Sequence, residues 1–500
     1  MSLVSNLFLL LIAAALLVYY LVPDRFKWMV LLLFSYLYYI AGGVRYVLFI
    51  LYSTIVIYLF ARLIEKKREG GASQKVLKRL AAAGLICNLG MLGAVKYTAF
   101  FVENINHIPG ISLPVPWILF PLGISFYTFQ SCGYLLDVYW ERTKAERNIF
   151  KFALFVSFFP QLMQGPIGRC STLMPQLQEG HAFDMLQIRR GLWRICWGLF
   201  KKLLIADNAA LYVNTIFDEY QSIQSLGLQG VLMYSVQLYM DFSGGIDIAL
   251  GVAELVGIHL DENFRQPYFA QSLTEFWHRW HITLGTWMKD YLFYPVSLSG
   301  WMGSFRKMCR KRFGKETGRA MAVGVANLIV FLAVGIWHGP AWHFIAYGLY
   351  NGVIISVSGL LTGTFRKWKR ALGIKDSMRW FQGFRMLRTF AIVNVSWFLD
   401  RSGSVPQALQ MLTSSFRGSI FSLTVIRSDD LQYCLLHFLP VLIGCVIVLI
   451  VSIFKERKKN VLAWAAGLPG WVLPAVFAAV LIAAALLGNK ESGGFIYANF

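Results

Sequence analysis

Long uncharged stretches of apolar residues set the strongest limit on how this chain can fold. Several of them, rich in Leu, Ile, Val, Phe and Ala, approach the roughly 20 residues that a helix needs to cross about 30 Å of hydrocarbon. The 500 residues are 57% hydrophobic and only 15% charged, whereas soluble domains carry about 25% charged residues. Membrane strands would alternate apolar and polar residues, and these stretches do not. The sequence therefore predicts an all-α polytopic membrane protein.

The apolar stretches predict roughly 10 to 12 transmembrane helices. They lie near residues 4–22, 28–41, 46–61, 80–102, 117–138, 191–214, 228–257, 323–337, 342–361, 389–400, 434–454 and 471–488. Residues 152–177 are also apolar but contain Pro160, Gly165, Pro166 and Gly168, so we expect a re-entrant or kinked element buried in protein. No internal repeat is evident. We expect one membrane domain over residues 1–500, with an extracytoplasmic tail at 491–500.

Positive charge is concentrated in four stretches between the apolar segments, at 62–79, 306–319, 366–388 and 455–459. They carry much of the net charge of +21. By the positive-inside rule these loops face the cytoplasm, which places both termini outside the plasma membrane. Most of these charges are interpreted as orientation signals beside anionic lipid of the bilayer. Nucleic acid is not an expected partner, because no compact soluble domain remains to bind it.

His338 is the most informative single residue, because it stands in Gly-Ile-Trp-His-Gly-Pro between two near-spanning apolar segments. An ionisable group at that depth is costly and indicates a functional site, although a hydrogen bond to a neighbouring helix would also explain it. An imidazole with a pKa near about 6.5 suits a general base at neutral pH. It could take a proton from a hydroxyl that attacks an activated acyl group. Asp241 and Asp247, in the 228–257 segment, fit either buried hydrogen bonding or catalysis.

A second polar region, SLTEFWHRWHITLGTWMKDYLFYP, is too polar to span a membrane and too aromatic for a free loop. Such helices lie in the interface or dip into a protein-lined vestibule. If the region is one continuous helix, Trp277, His281, Leu284 and Met288 share a face.

Metal chemistry is not predicted from the histidines. His278 and His281 have a spacing that could share a metal, but no carboxylate or thiolate partner accompanies them. His338 and His343 are separated by Pro340 and cannot share a regular helical face. The seven scattered cysteines form no C-x-x-C pair, so neither a disulfide framework nor a zinc site is expected. No G-x-S-x-G elbow for a serine nucleophile is present.

Four stretches together resemble the membrane-bound O-acyltransferase family, and specifically its alginate O-acetyltransferase branch. They are FFPQLMQGPIGR (158–169), EFWHRWHITLGTWMKDYLFYP (275–295), GIWHGPAWHFIAYGLYNG (335–352) and the terminal FIYANF (495–500). The resemblance implies a ring of transmembrane helices, with re-entrant and amphipathic helices, around a central pore-like tunnel. It also implies a cytoplasmic acyl-thioester donor that meets an acceptor arriving from the other face.

The same resemblance assigns roles to individual residues. It implies that His338 is catalytic and that His281 supports it or positions the donor. Residues implied to line the donor site or tunnel are Trp277, Arg279, Trp280, Lys289, Asp290 and Trp337. The chain departs from the family pattern at His278, where Arg or Asn is common, and at Lys289, where Arg usually precedes Asp-Tyr. Tyr497 resembles a tyrosine proposed as a transient acyl carrier; the alternative is an aromatic anchor at the membrane interface.

The resulting hypothesis is an acyltransferase that passes an acyl group, acetyl by preference, across the membrane toward hydroxyls of an exported or cell-wall polysaccharide. The donor would be acetyl-CoA or an acyl-phosphopantetheine on a carrier protein, with no bound cofactor, and a separate extracytoplasmic transferase is an expected partner. D-alanyl transfer to teichoic acid is the nearest alternative. A transporter or flippase would also have broken helices and intramembrane polar residues, but the sequence has no inverted repeat. A non-catalytic binding scaffold is the third alternative.

Overall fold

A computed structural model describes residues 3–116, 118, 121, 123–162, 164–223, 226–416, 434–488 and 494–496. Within these residues the regular structure is helical, and the one isolated bridge joins Phe264 to Trp280. The predicted all-α class is confirmed.

The helices are numbered here in chain order. The first eight are α1 (Asn6–Leu21), α2 (Asp24–Gly42), α3 (Val47–Glu69), α4 (Gln74–Asn106), α5 (Ile124–Tyr139), α6 (Ile149–Ser157), α7 (Phe159–Leu162) and α8 (Cys170–Gln178). The next eight are α9 (Met185–Leu199), α10 (Asp207–Asp218), α11 (Tyr220–Ile223), α12 (Gly227–Leu255), α13 (Leu273–Arg279), α14 (Ile282–Met288), α15 (Tyr294–Leu298) and α16 (Gly300–Phe313). The last eight are α17 (Lys315–His338), α18 (Trp342–Leu360), α19 (Thr362–Ala371), α20 (Arg379–Arg401), α21 (Val405–Ser414), α22 (Leu439–Glu456), α23 (Val461–Ala466) and α24 (Val472–Leu487). Wider π-helical turns occupy Phe200–Ala206, Lys289–Phe293 and Cys434–Phe438.

Among the described residues, five helical segments are both long and apolar enough to cross a membrane. They are Val44–Glu69, Gln74–Asn106, Lys315–His338, Trp342–Leu360 and Leu436–Glu456. The apolar helices α1 and α24 are shorter. The chain is therefore a multi-pass membrane protein, and the larger number of 10 to 12 crossings stays a prediction.

The basic stretches are largely helical, which corrects the expectation that they are loops. Residues 306–319 continue from α16 into α17 with a break at Gly314, and residues 366–388 cover most of α19 and the start of α20. Lys and Arg are good helix formers. They also stabilise the last turn of a helix such as α3 or α16 through its dipole.

Residues 152–177 form a broken, deeply buried element, as predicted. Residues 164–169, after α6 and α7, are not helical, and α8 begins at Cys170. A Cβ atom at Gly165 would lie 2.1 Å from the Cα atom of Gln161, so only glycine fits there. This backbone is enclosed by protein, as irregular structure at membrane depth requires.

The aromatic stretch is not one continuous helix, which corrects the predicted common face of Trp277, His281, Leu284 and Met288. Helix α13 ends at Arg279 and α14 begins at Ile282, with His281 between them in the left-handed region at a φ of 47°. Asn263 holds the break, because its carbonyl oxygen accepts from the Ile282 amide and its side-chain oxygen accepts from the amide and hydroxyl of Thr283.

Helix α12 lies at the centre of the molecule and packs closely against α9. A Cβ atom at Gly198 would lie 2.6 Å from the Gly244 carbonyl oxygen, so small residues permit this approach, as is common between membrane helices. Just beyond α9, the ammonium of Lys201 lies 2.5 Å from Asp247 and that of Lys202 lies 2.7 Å from Asp241. Both carboxylates are therefore buried partners of lysines between helices, the structural alternative left open by the sequence.

Candidate functional site

An open cavity of about 1530 Å³ is bordered by α13, α14, α17, α18, α19 and the start of α20. One face of α17 lines it, through Val323, Asn327, Val330, Phe331, Val334 and His338. These positions repeat every three to four residues and so share a helical face. The fifteen-residue advance from Val323 to His338 corresponds to about 22 Å along the helix axis. The cavity is thus long and narrow enough to follow one helix, with His338 at its far end.

His338 is the last residue of α17, and its side chain is only 3% exposed. Its ring centroid lies 4.8 Å from that of Tyr347 and 5.1 Å from that of Trp337. Its Nδ1 atom lies 3.2 Å from Oδ1 of Asp400 on α20. The contact is therefore a close electrostatic one between an imidazole and a carboxylate.

Asp400 is positioned to select the tautomer of that imidazole. Its side chain is 1% exposed, and its second oxygen accepts a hydrogen bond of 2.7 Å from the Tyr234 hydroxyl. A carboxylate beside Nδ1 favours the tautomer that carries hydrogen there, which leaves the lone pair on Nε2. The arrangement can therefore support general-base chemistry at Nε2 of His338.

His281 also lines the cavity and lies in the same aromatic cluster as His338. The Trp337 ring contacts both imidazoles, since its centroid is 5.7 Å from that of His281 and 5.1 Å from that of His338. Nδ1 of His281 lies 3.3 Å from the side-chain oxygen of Asn263, and the Phe242 ring packs edge-on at 4.8 Å. The break between α13 and α14 thus directs His281 toward the cavity.

The other site residues predicted from the sequence divide into two groups. Trp277, Trp280 and Lys289 line the cavity, together with His278. Arg279, Asp290 and Trp337 are not among the residues that line this cavity, and their role at the donor site stays a prediction. Arg279 pairs with Glu275 and Glu456, and Asp290 lies 2.6 Å from Arg169. Trp337 packs between the histidines instead.

Positive charge surrounds the other end of the cavity, where α18 passes into α19. Arg366, Lys369, Arg385 and Arg388 contribute side chains to this end, which we call the basic mouth. The carboxylate of Asp376 lies 2.7 Å from Lys369 and 3.3 Å from Arg385. The hydrogen bond from Lys369 holds the pKa of the Asp376 carboxyl below its usual range. An excess of cations in a cleft attracts anionic ligands.

The segment before Tyr497 enters the core beside α12, whereas Tyr497 itself lies outside the described residues. Phe495 is 1% exposed, and the amide of Ile496 donates a hydrogen bond of 2.9 Å to Asp241. Lys202 donates to the carbonyl oxygen of Gly494, and its ammonium lies 4.7 Å from the Phe495 ring centroid. Phe495 is therefore held within the protein, and the backbone on either side of it is hydrogen-bonded to buried side chains.

No group of three or more His, Cys, Asp or Glu side chains suited to a metal ion occurs in the described part of the chain. The charged groups at the cavity are mainly Lys and Arg, which suit an anion.

Sequence reasoning missed Asp400 and Asn263, the two side chains that set the histidines in place. Asp400 ends the apolar 389–400 segment, so the argument that intramembrane ionisable residues are functional would have selected it. Asn263 carries no such signal, because its role depends on a backbone break that no local pattern predicts.

Comparison with known proteins agrees with this geometry. The model of the membrane-bound O-acyltransferase family matches residues 145–308. The chain is 33% identical over 433 residues to the probable alginate O-acetylase AlgI of Pseudomonas aeruginosa, covering 85% of this chain and 77% of that protein. It is 30% identical over 470 residues to the peptidoglycan O-acetyltransferase of Helicobacter pylori, covering 86% and 83%. A shorter match of 27% over 282 residues, covering 56% and 68%, is to the teichoic acid D-alanyltransferase of Bacillus subtilis.

The matches to the two O-acetylating relatives extend over 85% and 86% of the chain. A transporter and a non-catalytic scaffold are thereby set aside. The chain belongs to the membrane-bound O-acyltransferase family and is an acyltransferase.

Proposed function

We propose that this enzyme passes an acetyl group from a cytoplasmic thioester donor across the membrane, for O-acetylation of an exported or cell-wall polysaccharide. The observation that carries the proposal is the cavity that joins the basic mouth to His338 and His281. A thioester could enter at the cationic end and present its carbonyl carbon to an imidazole at the other.

The donor end suits a phosphate-bearing thiol. Acetyl-CoA and acetyl-phosphopantetheine on a carrier protein both place phosphate at one end of a long flexible arm and the thioester at the other. The basic mouth would hold the phosphate, and the apolar face of α17 would enclose the arm. Cations attract phosphate by charge and by charge-assisted hydrogen bonds. No cofactor is required by this scheme, because the donor is a substrate.

The reaction at His338 follows from its contact with Asp400. Nε2 takes the proton of an acceptor hydroxyl as its oxygen attacks the thioester carbonyl carbon. The tetrahedral intermediate then collapses, the C–S bond breaks, and the leaving thiolate takes the proton back from the imidazolium. An ester and a free thiol result, and the imidazole is regenerated. The Asp400 carboxylate stabilises the imidazolium while it exists.

The first acceptor in this proposal is the phenol of Tyr497, which would carry the acetyl group outward as an ester. A polysaccharide hydroxyl, presented directly or by a separate extracytoplasmic transferase, would then take the acetyl group and restore the phenol. The tail supports this because residues 494–496 are held beside Asp241, and the next residue along α12, Phe242, contacts the His281 ring. A tail that only anchored α24 at the interface would have no need of a buried docking site.

Acetyl is preferred to D-alanyl as the cargo. The O-acetylating relatives match about 85% of the chain at 30 to 33% identity, whereas the D-alanyltransferase matches 56% at 27%.

The proposed setting is the plasma membrane, with the basic mouth on the cytoplasmic side and both termini outside. The basic residues 306–319 lie at the N-terminal end of α17, and residues 366–388 follow the C-terminal end of α18. Both clusters therefore lie on the same side of this helix pair, and clusters of this kind stay in the cytoplasm. His338, at the opposite end of α17, would then stand near the outer half of the membrane.

Acyl-enzyme trapping tests the function. The detergent-purified full chain is incubated with labelled acetyl-CoA, with a labelled acetyl carrier protein and with a labelled D-alanyl carrier protein. Label is then mapped by peptide mass spectrometry in wild type, His338→Ala and Tyr497→Phe. We expect acetyl label on the tail of wild type and none in either variant.

The matched control is Tyr350→Phe, which removes the hydroxyl that donates to the Ile392 carbonyl oxygen away from both histidines. It should be labelled like wild type. Label from the D-alanyl donor alone would show that the cargo is D-alanyl and not acetyl. Acetyl transfer to an added polysaccharide without any labelled tail would rule out the Tyr497 relay. It would indicate that His338 acts directly on the external hydroxyl.

A further inference from the structure

A lysine within the membrane-spanning helix α4 contacts the helix end that carries His338. The buried side chains of α4 are Leu77, Ala81, Gly84, Asn88, Leu92 and Lys96, a regular stripe that faces the protein. Only 17% of the apolar part of α4 is buried, so this stripe is narrow and the rest of the helix faces outward. Lys96 is the charged residue of this stripe and is only 6% exposed. A buried charge of this kind is costly in a membrane and needs a partner.

The partners of Lys96 and of its neighbour Tyr97 are backbone carbonyls of α17. The Lys96 ammonium donates to the Trp337 carbonyl oxygen and lies 6.0 Å from the Trp337 ring centroid. The Tyr97 hydroxyl donates to the Ile336 carbonyl oxygen. These are the two residues immediately before His338, the last residue of the helix.

The end of a helix leaves its last four carbonyl groups without helical partners. In a buried helix end such groups must be satisfied by other parts of the protein. A cation there also complements the negative end of the helix dipole. Lys96 and Tyr97 therefore stabilise the last turn of α17 in a place where water is scarce.

The contacts continue past the turn that follows His338. The ring of Phe100 lies 5.7 Å from that of Trp342, the first residue of α18. The Trp342 indole nitrogen donates a 2.9 Å hydrogen bond to the side-chain oxygen of Asn104. Helix α4 thus contacts the chain both before and after the His338 turn, over two of its own turns.

We infer that Lys96 and Tyr97 are positioning residues that hold the end of α17, and thereby fix the direction of the His338 imidazole relative to the cavity and to Asp400. The inference rests on the proposed role of His338. Neither residue lines the cavity, so they act through the backbone of α17 and not on the donor. A small displacement of a reacting group is enough to slow catalysis by about 10²-fold.

Steady-state kinetics of the full-length enzyme test this, with acetyl-CoA or the donor that the trapping experiment selects. Lys96→Met keeps the length of the side chain and removes its charge; Tyr97→Phe removes one hydroxyl. We expect kcat to fall about 10-fold or more in each variant, with the KM for the donor within about twofold of wild type. Thr98→Val is the matched control, because the Thr98 hydroxyl bonds to the Ala94 carbonyl oxygen of its own helix, and it should keep the wild-type kcat.

The melting temperature of each variant separates positioning from loss of fold. If Lys96→Met does not fold, the kcat and KM of Tyr97→Phe test the positioning role. Wild-type kcat in the folded variants, or a raised KM with kcat unchanged, would overturn the inference. His338→Ala is measured alongside: if it remains active, the proposed role of His338 is wrong, whereas an inactive His338→Ala with fully active Lys96 and Tyr97 variants rejects the positioning role alone.

Discussion

His338 obtains its proposed chemistry from a side chain on another helix. Nothing in the sequence around Gly-Ile-Trp-His-Gly-Pro provides a carboxylate, yet α20 places Asp400 3.2 Å from Nδ1 and Tyr234 on α12 holds the other carboxylate oxygen. Each of the three side chains is at most a few per cent exposed. In such surroundings an ion–imidazole contact is screened little by solvent, so a single-atom change at Asp400 should alter the reaction.

Asp400→Asn replaces one carboxylate oxygen by an amide and removes the negative charge. We expect kcat to fall about 10²-fold or more, because the amide neither selects the Nδ1–H tautomer nor stabilises the imidazolium. The KM for the donor should change little. The measurement is steady-state acyl transfer by the purified variant, together with its melting temperature.

Asp218 on α10 supplies the control for that experiment. Its exposed carboxylate lies 3.0 Å from Arg401, the residue after Asp400 on α20, so Asp218→Asn removes an acid beside the same helix end without approaching His338. It should retain wild-type kcat. Equal rates for Asp400→Asn and Asp218→Asn would show that the Asp400 contact has no part in the reaction.

His281 combines an unusual backbone with a position at the cavity, and two substitutions separate these features. Its φ of 47° is tolerated by Asn but strained for a β-branched residue. We therefore expect His281→Asn to keep the wild-type melting temperature and to raise the donor KM, and His281→Val to melt at a lower temperature. Differential scanning fluorimetry and donor titrations measure both. A fall in kcat for His281→Asn as large as that of His338→Ala would place the imidazole in the chemistry itself.

The sequence indicated His338, His281, Trp277, Trp280 and Lys289, all of which line the cavity. It failed where a role depends on contacts between distant segments. Asp400 and Lys96 are ionisable residues in apolar helices, a pattern that indicates a functional or paired group but does not identify its partner, and Asn263 carries no such signal. Only packing brings these three residues to the region of the histidines. Arg279 and Asp290 lie outside the lining of this cavity and pair with Glu456 and Arg169, which are far away in the sequence.

At the level of elements, the basic mouth is built from α19 and the first turns of α20, and it contains its own counter-ion. Asp376, in the connection between these helices, lies within 3.3 Å of both Lys369 and Arg385. A phosphate that binds these cations must compete with the Asp376 carboxylate. The sequence pattern located this basic segment, and its charges were interpreted as orientation signals. A one-dimensional pattern does not show that the segment borders a cavity.

Asp376→Asn should therefore strengthen donor binding. We expect the KM for a phosphate-bearing donor to fall about 2- to 5-fold at low salt, and the difference to shrink as salt screens these exposed charges. Lys369→Gln should raise the same KM. Lys367→Gln is its control, because Lys367 is exposed on α19 but does not line the cavity. Unchanged KM values in Asp376→Asn and Lys369→Gln across salt concentrations would exclude the mouth as the phosphate site.

Across the whole molecule, composition and hydropathy were enough to predict an all-helical membrane protein and the broken element at 152–177. They could not resolve how many helices cross the membrane, because α5 and α12 are largely enclosed by protein and their apolar residues report burial rather than lipid contact. They also gave no sign that the end of the chain returns to α12, since that return depends on Lys202 and Asp241, whose pairing is visible only in three dimensions.

Lys202 connects this central core to the tail, and its removal should release the tail. The ammonium lies 2.7 Å from both Asp207 and Asp241 and donates to the Gly494 carbonyl oxygen. Lys202→Met deprives two buried carboxylates of their shared cation, a change that costs about 3–5 kcal/mol for a broken buried pair. We expect a lower melting temperature and faster release of C-terminal residues by carboxypeptidase.

Lys201→Met is the stringent comparison, because Lys201 is equally buried on the same π-helical turn but its partner Asp247 also pairs with Arg194. Removal of the Lys201 ammonium leaves Asp247 paired with Arg194 and does not change the contacts of residues 494–496. The tail of Lys201→Met should resist carboxypeptidase as wild type does, even if the variant melts earlier. Equal digestion rates in both variants would mean that tail release follows general loosening of the helices, and that the Lys202–Asp241 pair does not itself hold the tail.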